Sequence, residues 1–339
     1  MILLDSLYIN NSGGKVLLDY LVQELENTDL EVFYLFDSRC KNDYEFVSKK
    51  RKTYLEASIF NRYKFYERNK KRFYKIFCFG NLPPIQEQRN VEVLTYFHQP
   101  LFISTPYDLS SVLKLKIKLK TLFLKFFRKN TDRWLVQSKY IKNGIIKKYD
   151  EPINKVEILP FYPPLNTNSK DLYECREKNT FIYVSSGASH KNHVRLIEAF
   201  CSFYDEHKTG KLILTVHSKY VEIYEMIERK INNGYPINNL GFINREQLIE
   251  KYLSSEYLIF PSLTESFGLG IIEAIECGCK VIGADLPYVY EVCKPSLTFD
   301  PFSVKNIQKA FSEAVENDIS ITEQRIHNQI NKLIEHLSK

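Results

Sequence analysis

Apolar positions along this chain recur in two alternating patterns. The run "MILLDSLYI" is short and almost wholly apolar, as a buried strand is. "NNSGGKVLLDYLVQELE" follows with a Ser/Gly turn and then Val16, Leu17, Tyr20, Leu21 and Leu25 at helical spacing. "LEVFYLF", "YKIFCF", "VEVLTYF", "RWLVQS" and "KVEILPF" predict further strands, with helical stretches between several of them. At "PFYPPLNTNSKDLYE" three prolines and a polar run break the periodicity. The pattern then restarts. "TFIYVSSG", "KLILTVH", "YLIFPS" and "KVIGAD" read as strands, and "HVRLIEAFCSFYDEH", "YEMIERKINNG" and "GLGIIEAIECG" as helices. Short apolar strands alternating with amphipathic helices predict parallel sheets. The expected fold class is α/β, with two doubly wound, Rossmann-like domains, 1–163 and 164–318, facing a central cleft. A ligand is expected there, at the C-terminal ends of the strands. The last segment, 319–339, predicts a polar helix able to pack back across both domains.

Composition supports two cores: 339 residues, 44% hydrophobic and 26% charged. No apolar run approaches the roughly 18 to 20 residues of a membrane span. The first residues lack the basic flank and cleavage site of a signal peptide, so a cytoplasmic location is expected. Seven cysteines (Cys40, Cys78, Cys175, Cys201, Cys277, Cys279 and Cys293) at irregular spacing predict buried, reduced thiols rather than a disulfide framework.

Charge changes the picture because it is uneven. Residues 49–75 hold 11 Lys and Arg against Glu56 and Glu67, residues 111–129 hold 7 and no acid, and the net charge of the whole chain is only +6. The remainder is acidic. A helix over 113–129, "LKLKIKLKTLFLKFFRK", gathers Lys114, Lys118, Lys125, Arg128 and Lys129 on one face at about 100° per residue. It sets Leu115, Leu119, Leu122, Phe123 and Phe126 on the opposite one, with Lys116 and Lys120 outside the basic face. Two readings stand: a core helix with a solvated lysine face, or a basic amphipathic helix lying on an anionic membrane. The aromatic residues interleaved with the cations of 49–75 weigh towards the membrane. Nucleic acid competes for the same features; the acidic remainder and the lack of any nucleic-acid motif argue against it.

Candidate chemistry concentrates in "PSLTESFGLGIIEAIECGCKVIGADLP". Glu265 falls in a glycine-flanked loop and Glu273 one to two turns into the helix that follows. Gly268 and Gly270 let the N–H groups of a helix N-terminus approach a ligand, and carboxylates beside such donors accept hydrogen bonds from sugar hydroxyls. The alternative is that Glu265 caps the helix and Glu273 is a solvated face residue. Gly13 and Gly14 open the first helix, and Lys191 precedes another; both are arrangements that suit phosphates. His98, directly after a strand, is a candidate ligand contact or proton carrier; the alternative is a structural histidine bonding a neighbouring carbonyl. Ser138 after "RWLVQ" is read as structural. No Asp-x-Asp occurs, and His190 and His193 have no third partner at ligand spacing, so no metal is expected.

The stretch from Glu265 to Glu273 resembles the E-x7-E signature of family 4 glycosyltransferases, retaining enzymes of the GT-B fold. "EAIECGCKVIGADLPYVYEVC", "LTFDPFSVKNI" and "NNLGFINREQLIEKYLSSEYLIFPS" are similar to the family at the same places. The resemblance covers nearly the whole second domain and thins in the first. It implies that Glu265 meets the donor sugar near the reacting centre and Glu273 the ribose, with the backbone of Ser266, Phe267, Gly268, Leu269 and Gly270 on the sugar hydroxyls. Phe242 is placed among the donor contacts. His98 would reach the donor sugar, and Gly13 and Gly14 the diphosphate. Lys191 matches the second member of the family's basic pair. The first, usually an arginine, is Ser186 here, leaving Arg195 or another cation to substitute. The implied activity is metal-independent transfer of a sugar from a nucleotide-diphosphate donor to a lipid-linked glycan acceptor in surface-polysaccharide synthesis, at the inner face of the cytoplasmic membrane. A nucleotide-sugar or glycan-binding protein without catalysis, and a GT-B-type nucleotide-sugar epimerase, are the alternatives.

Overall fold

The computed structural model describes residues 1–105, 109–165 and 176–339. In the first part of the chain the elements run β1 (Ile2–Asp5), α1 (Ser12–Glu26), β2 (Val32–Asp37), β3 (Lys52–Leu55), α2 (Ile59–Arg68), β4 (Lys75–Cys78) and β5 (Glu92–Phe97). They continue with α3 (Ser111–Phe127), β6 (Arg133–Val136), α4 (Lys139–Tyr149) and β7 (Val156–Ile158). The second part runs β8 (Glu177–Tyr183), α5 (His193–His207), β9 (Lys211–Leu214), α6 (Val221–Asn232), β10 (Ile237–Asn239), α7 (Arg245–Ser254) and β11 (Ser255–Phe260). After these come α8 (Leu269–Glu276), β12 (Lys280–Ala284), α9 (Pro287–Val292), β13 (Cys293–Lys294), β14 (Leu297–Phe299), α10 (Val304–Glu316), β15 (Glu323–Gln324) and α11 (Ile330–Ser338).

Two compact units result. One holds Met1–Thr105, Ser110–Pro163 and His327–Lys339, and the other is built on Pro164–Ile326. The first carries a seven-stranded parallel sheet in the order β3-β2-β1-β4-β5-β6-β7, the second a six-stranded parallel sheet in the order β10-β9-β8-β11-β12-β14. In each, strand order reverses once, between β1 and β4 and between β8 and β11. A reversal opens a crevice at the C-terminal strand ends, because the loops on either side of it lead to helices on opposite faces. The central strands are buried on both faces: β1, β2 and β4 are closed to solvent along their whole lengths. That is why they read as continuous apolar runs.

Four sequence expectations meet a different outcome. Strand β3 was hidden in the basic region, where Lys52 and half-buried positions mask any alternation. The basic region is itself less exposed than its composition suggests. Arg62 is 2% exposed and paired with Asp5 at 2.7 Å, and Lys75 is 2% exposed, 3.0 Å from Glu92 and donating to the His336 carbonyl. The C-terminal segment is not one helix. Glu323 and Gln324 pair antiparallel with β13, and only Ile330–Ser338 is helical. That helix packs within the first unit: Lys332 and His336 reach Glu157, at 2.9 and 3.1 Å. Finally, α3 is helical as expected, but its core contacts are Ile117 and Leu124, while Leu115, Leu119, Leu122 and Phe126 face solvent. Its lysine face also differs: Lys114 is half-buried and Arg128 lies 3.5 Å from the buried Glu151.

The cysteines that are described, Cys40, Cys78, Cys201, Cys277, Cys279 and Cys293, are buried thiols; Cys175 lies outside the described residues. Burial pushes each of them up, Cys78 to about 12 and Cys279 to about 11. Ser138 caps α4 through the Ile141 N–H. No helix among the described residues is long and apolar enough to cross a membrane.

Candidate active site

In the second unit the loops leaving β8 and β11 lie side by side because the two strands are neighbours. Leu263 N–H donates to the His190 carbonyl (2.8 Å), and the buried Asn192 amide donates to the carbonyls of Pro261 and Pro301 (3.1 and 2.7 Å). Asn192 also takes a left-handed conformation (φ 63°) that turns the chain into α5. This stitching fixes Lys191 and Glu265 face to face as a salt bridge, with side chains 17% and 14% exposed.

Glu273 sits one turn into α8 and is not a solvated face residue. It is 7% exposed, and burial pushes its carboxyl up to about 7 against the opposing effect of Arg245. Arg245, at the start of α7, lies 3.6 Å from it. Nor does Glu265 cap α8. The capping position is Gly268, at φ 73°, a left-handed conformation that favours glycine. Gly270 serves packing, since a Cβ there would come within 3.2 Å of the Tyr252 hydroxyl. That hydroxyl and the Thr264 hydroxyl are buried without a hydrogen-bond partner. Unpartnered buried polar groups are uncommon, and these two adjoin the two carboxylates.

The remaining expected residues divide. Ser186 contributes its carbonyl, which accepts from His193 Nε2 at 3.0 Å. Arg195 donates to Asn192 Oδ1 (3.0 Å) and lies over the Phe302 ring. Phe242 is 84% exposed in the loop before Arg245. His190 and His193 are held neutral, each pushed down to about 4, first by burial.

In the first unit, Gly14 at the start of α1 lies against His98: a Cβ there would meet the His98 ring at 3.0 Å. Gly13 has open space where a Cβ would go. The His98 ring is held 3.0 Å from the Phe79 carbonyl through Nε2 and stacks on the Phe79 ring. Burial pushes it down to about 4. With Nε2–H donating to that carbonyl, Nδ1 is an acceptor turned towards α1. Such a ring is better suited to accept a hydrogen bond than to carry a proton at neutral pH. In the same unit, Tyr8 holds φ 86° in the loop after β1, an outlier for so bulky a residue.

Sequence reading missed Arg245, Tyr252, Thr264 and Tyr8. Arg245 was within the similar segment "NREQ" but its partner across the fold was not visible. The two orphaned hydroxyls had no motif at all.

Residues 166–333 match the family described as glycosyl transferases group 1, and through that stretch the chain belongs to this family. It is 23% identical over 197 residues to O-antigen chain mannosyltransferase B of Escherichia coli, covering 54% of this chain and 51% of that protein. It is 25% identical over 189 residues to O-antigen chain mannosyltransferase RfbU of Salmonella typhimurium (55% and 52%). The chain spans about half the length of these curated relatives. Among solved structures, sucrose-phosphate synthase from Thermosynechococcus elongatus superposes with a TM-score of 0.71 at 16% identity, over 93% of this chain and 90% of that one. The fold is therefore α/β of the GT-B type.

Proposed function

We propose that this protein is a retaining, metal-independent glycosyltransferase that moves a sugar from a nucleotide-diphosphate donor to a lipid-linked glycan in surface-polysaccharide synthesis. The observation that carries the reading is the pairing of Lys191 with Glu265 at the strand-order reversal of the second unit, with Glu273 and Arg245 beside it. In the proposed complex the diphosphate takes Lys191 and the N–H groups opening α8, where the helix dipole favours an anion. Glu265, released from Lys191, accepts from donor-sugar hydroxyls, and backbone N–H groups of residues 266–270 donate to them. Glu273 accepts from the ribose. Thr264 and Tyr252 supply the hydroxyls that otherwise lack partners. Gly13, Gly14 and His98 are assigned to the diphosphate and the sugar from the first unit.

The chemistry follows from what is near the reacting centre. The bond from the anomeric carbon to the leaving phosphate oxygen breaks while a bond to the acceptor oxygen forms on the same face. The acceptor's proton passes to the leaving phosphate. Developing charge is met by Lys191 and fixed N–H dipoles, which act without reorganising. The relatives' names, two O-antigen mannosyltransferases and a lipopolysaccharide glucosyltransferase of Escherichia coli, support a transferase over a binding protein or an epimerase. They also support a membrane-borne acceptor, and with it a place on the inner face of the cytoplasmic membrane.

A calorimetric panel of nucleoside diphosphates and their sugars, with and without EDTA, tests the donor site. The expected result is one preferred nucleotide, bound equally in EDTA and weakened at least tenfold by Glu273→Ala. Binding of none of them, by a protein with an unchanged melting profile, overturns the reading.

A further inference from the structure

The solvent face of α3 is unusual for a helix attached to a folded unit. Val112, Leu115, Leu119, Leu122 and Phe126 are 58 to 77% exposed. At about 100° per residue these five fall within one stripe roughly 80° wide. The stripe lies opposite Ile117 and Leu124, the two side chains that α3 buries. Lysines border it on both sides: Lys118, Lys125 and Lys129 on one, Lys116 and Lys120 on the other, all exposed. The helix therefore has a core side, an outward apolar ridge and two basic margins.

A second helix adds to the same layer. Phe65 and Tyr66 of α2 pack on Val93, while Leu124 of α3 packs on Phe97. Val93 and Phe97 stand four residues apart on β5, so both point to one face of the sheet, and α2 and α3 cover that face together. The outer side of α2 exposes Ile59, Phe60 and Tyr63, with Lys64 over the Phe60 ring at 4.1 Å.

We infer that this helical layer of the first unit is the surface by which the protein docks on an anionic lipid bilayer. The α3 ridge enters the acyl boundary, and its lysine margins lie at the headgroups. The inference rests on the membrane-borne acceptor proposed above and gives it a place on the molecule. Charge selects the occupant. Residues 111–129 carry seven cations and no acid, so a second copy of the same ridge would set like charges face to face. Anionic headgroups complement both margins at once. The mode also differs from attraction by a lysine face alone, because the apolar ridge lies between the cations and must be desolvated for binding to be tight.

Flotation with vesicles of phosphatidylcholine, and of phosphatidylcholine mixed with phosphatidylglycerol, tests this on the whole chain. Wild type is expected to favour the anionic vesicles at least tenfold. Leu115→Ser with Leu119→Ser should lose at least tenfold of that binding at unchanged melting temperature and nucleotide affinity. Lys116→Gln with Lys120→Gln should lose a few-fold and flatten the dependence on salt. Leu122→Trp should shift its emission to the blue on anionic vesicles only, above the constant signal of the buried Trp134. No vesicle binding by wild type, equal binding by the ridge variant, or a ridge variant whose only change is from dimer to monomer would each overturn the assignment. Nucleotide binding read on the same samples separates this outcome from failure of the donor site.

Discussion

Glu273 is held in the folded protein with its carboxyl at about 7, against an ordinary value of 4.5, first because it is buried. The folded state thus holds a proton that the unfolded chain has released between those two values. Its favourable contribution is complete below pH 4.5 and is lost as pH rises through about 7. Glu273→Gln should leave stability unchanged at pH 5 and raise it at pH 8 by on the order of 2 to 3 kcal/mol, measured by chemical denaturation. If the ionised carboxylate binds the ribose, nucleotide affinity of wild type should rise from pH 6 to pH 8, and the Gln variant should show neither the rise nor the tight binding. Stability gained where affinity is lost is the signature of a residue kept for binding. Glu265→Gln makes a second case. It removes the partner of Lys191, so transfer should fall by at least a hundredfold while affinity for the nucleoside diphosphate alone is kept or rises. Loss of both together would show that the pair holds the loop rather than the substrate. Both carboxylates were legible in the sequence because their spacing is local. Arg245 and Tyr252 were not, since they reach Glu273 and Gly270 only after β8 and β11 have paired and α7 has packed against them and α8.

Helix starts decide the geometry of both candidate loops, and each uses a different device. The loop before α8 turns on Gly268 at φ 73°, where alanine costs roughly 1 kcal/mol for the backbone alone. A Cβ would also meet Ile271 at 3.1 Å. Gly268→Ala should therefore lower the melting temperature by roughly 2 to 4 °C for a unit of this size, and weaken donor binding more than that loss explains by turning the N–H groups that open α8. Equal donor affinity in the variant would remove those groups from the site. At this scale the sequence was most informative where one face of a helix is buried and the other is polar. α5 was expected at "HVRLIEAFCSFYDEH" and spans His193–His207, because its apolar period is strict and a polar loop precedes it. It was least informative in α3, where leucines alternate with lysines. Periodicity there identified a helix, but which apolar residues meet the sheet depends on where the flanking loops and strands place the helix axis. The result was Ile117 and Leu124 inside and the leucine ridge outside.

Over the whole molecule, three neutral histidines set the acid limit. His98 belongs to the first unit, His190 and His193 to the second, and burial pushes each down to about 4 from 6.5. The unfolded chain binds protons below pH 6.5 that the folded chain refuses, so stability is full above 6.5 and is lost as pH falls towards 4, by up to roughly 1.4 kcal/mol per pH unit for each histidine. Carboxyls raised by burial act in the opposite sense. Glu151 does so in the first unit and Glu276 in the second, one in each; Glu273, pushed up to about 7, offsets about one of the second unit's two histidines. The two units of the wild type should accordingly lose stability at similar rates between pH 7.5 and pH 5. Glu273→Gln removes the offset, leaving the second unit with two uncompensated histidines against one. Trp134 is the single tryptophan and is buried in the first unit's core, so its fluorescence reports that unit, while circular dichroism reports both. Thermal unfolding followed by the two signals should nearly coincide at both pH values in wild type. In Glu273→Gln the transitions should still nearly coincide at pH 5, whereas at pH 7.5 the dichroism transition should end several degrees above the fluorescence transition, because the second unit alone is stabilised there. Coincident transitions in the variant at pH 7.5 would mean that the two units unfold as one, and that Glu273 and the second unit's histidines act on the stability of the entire chain.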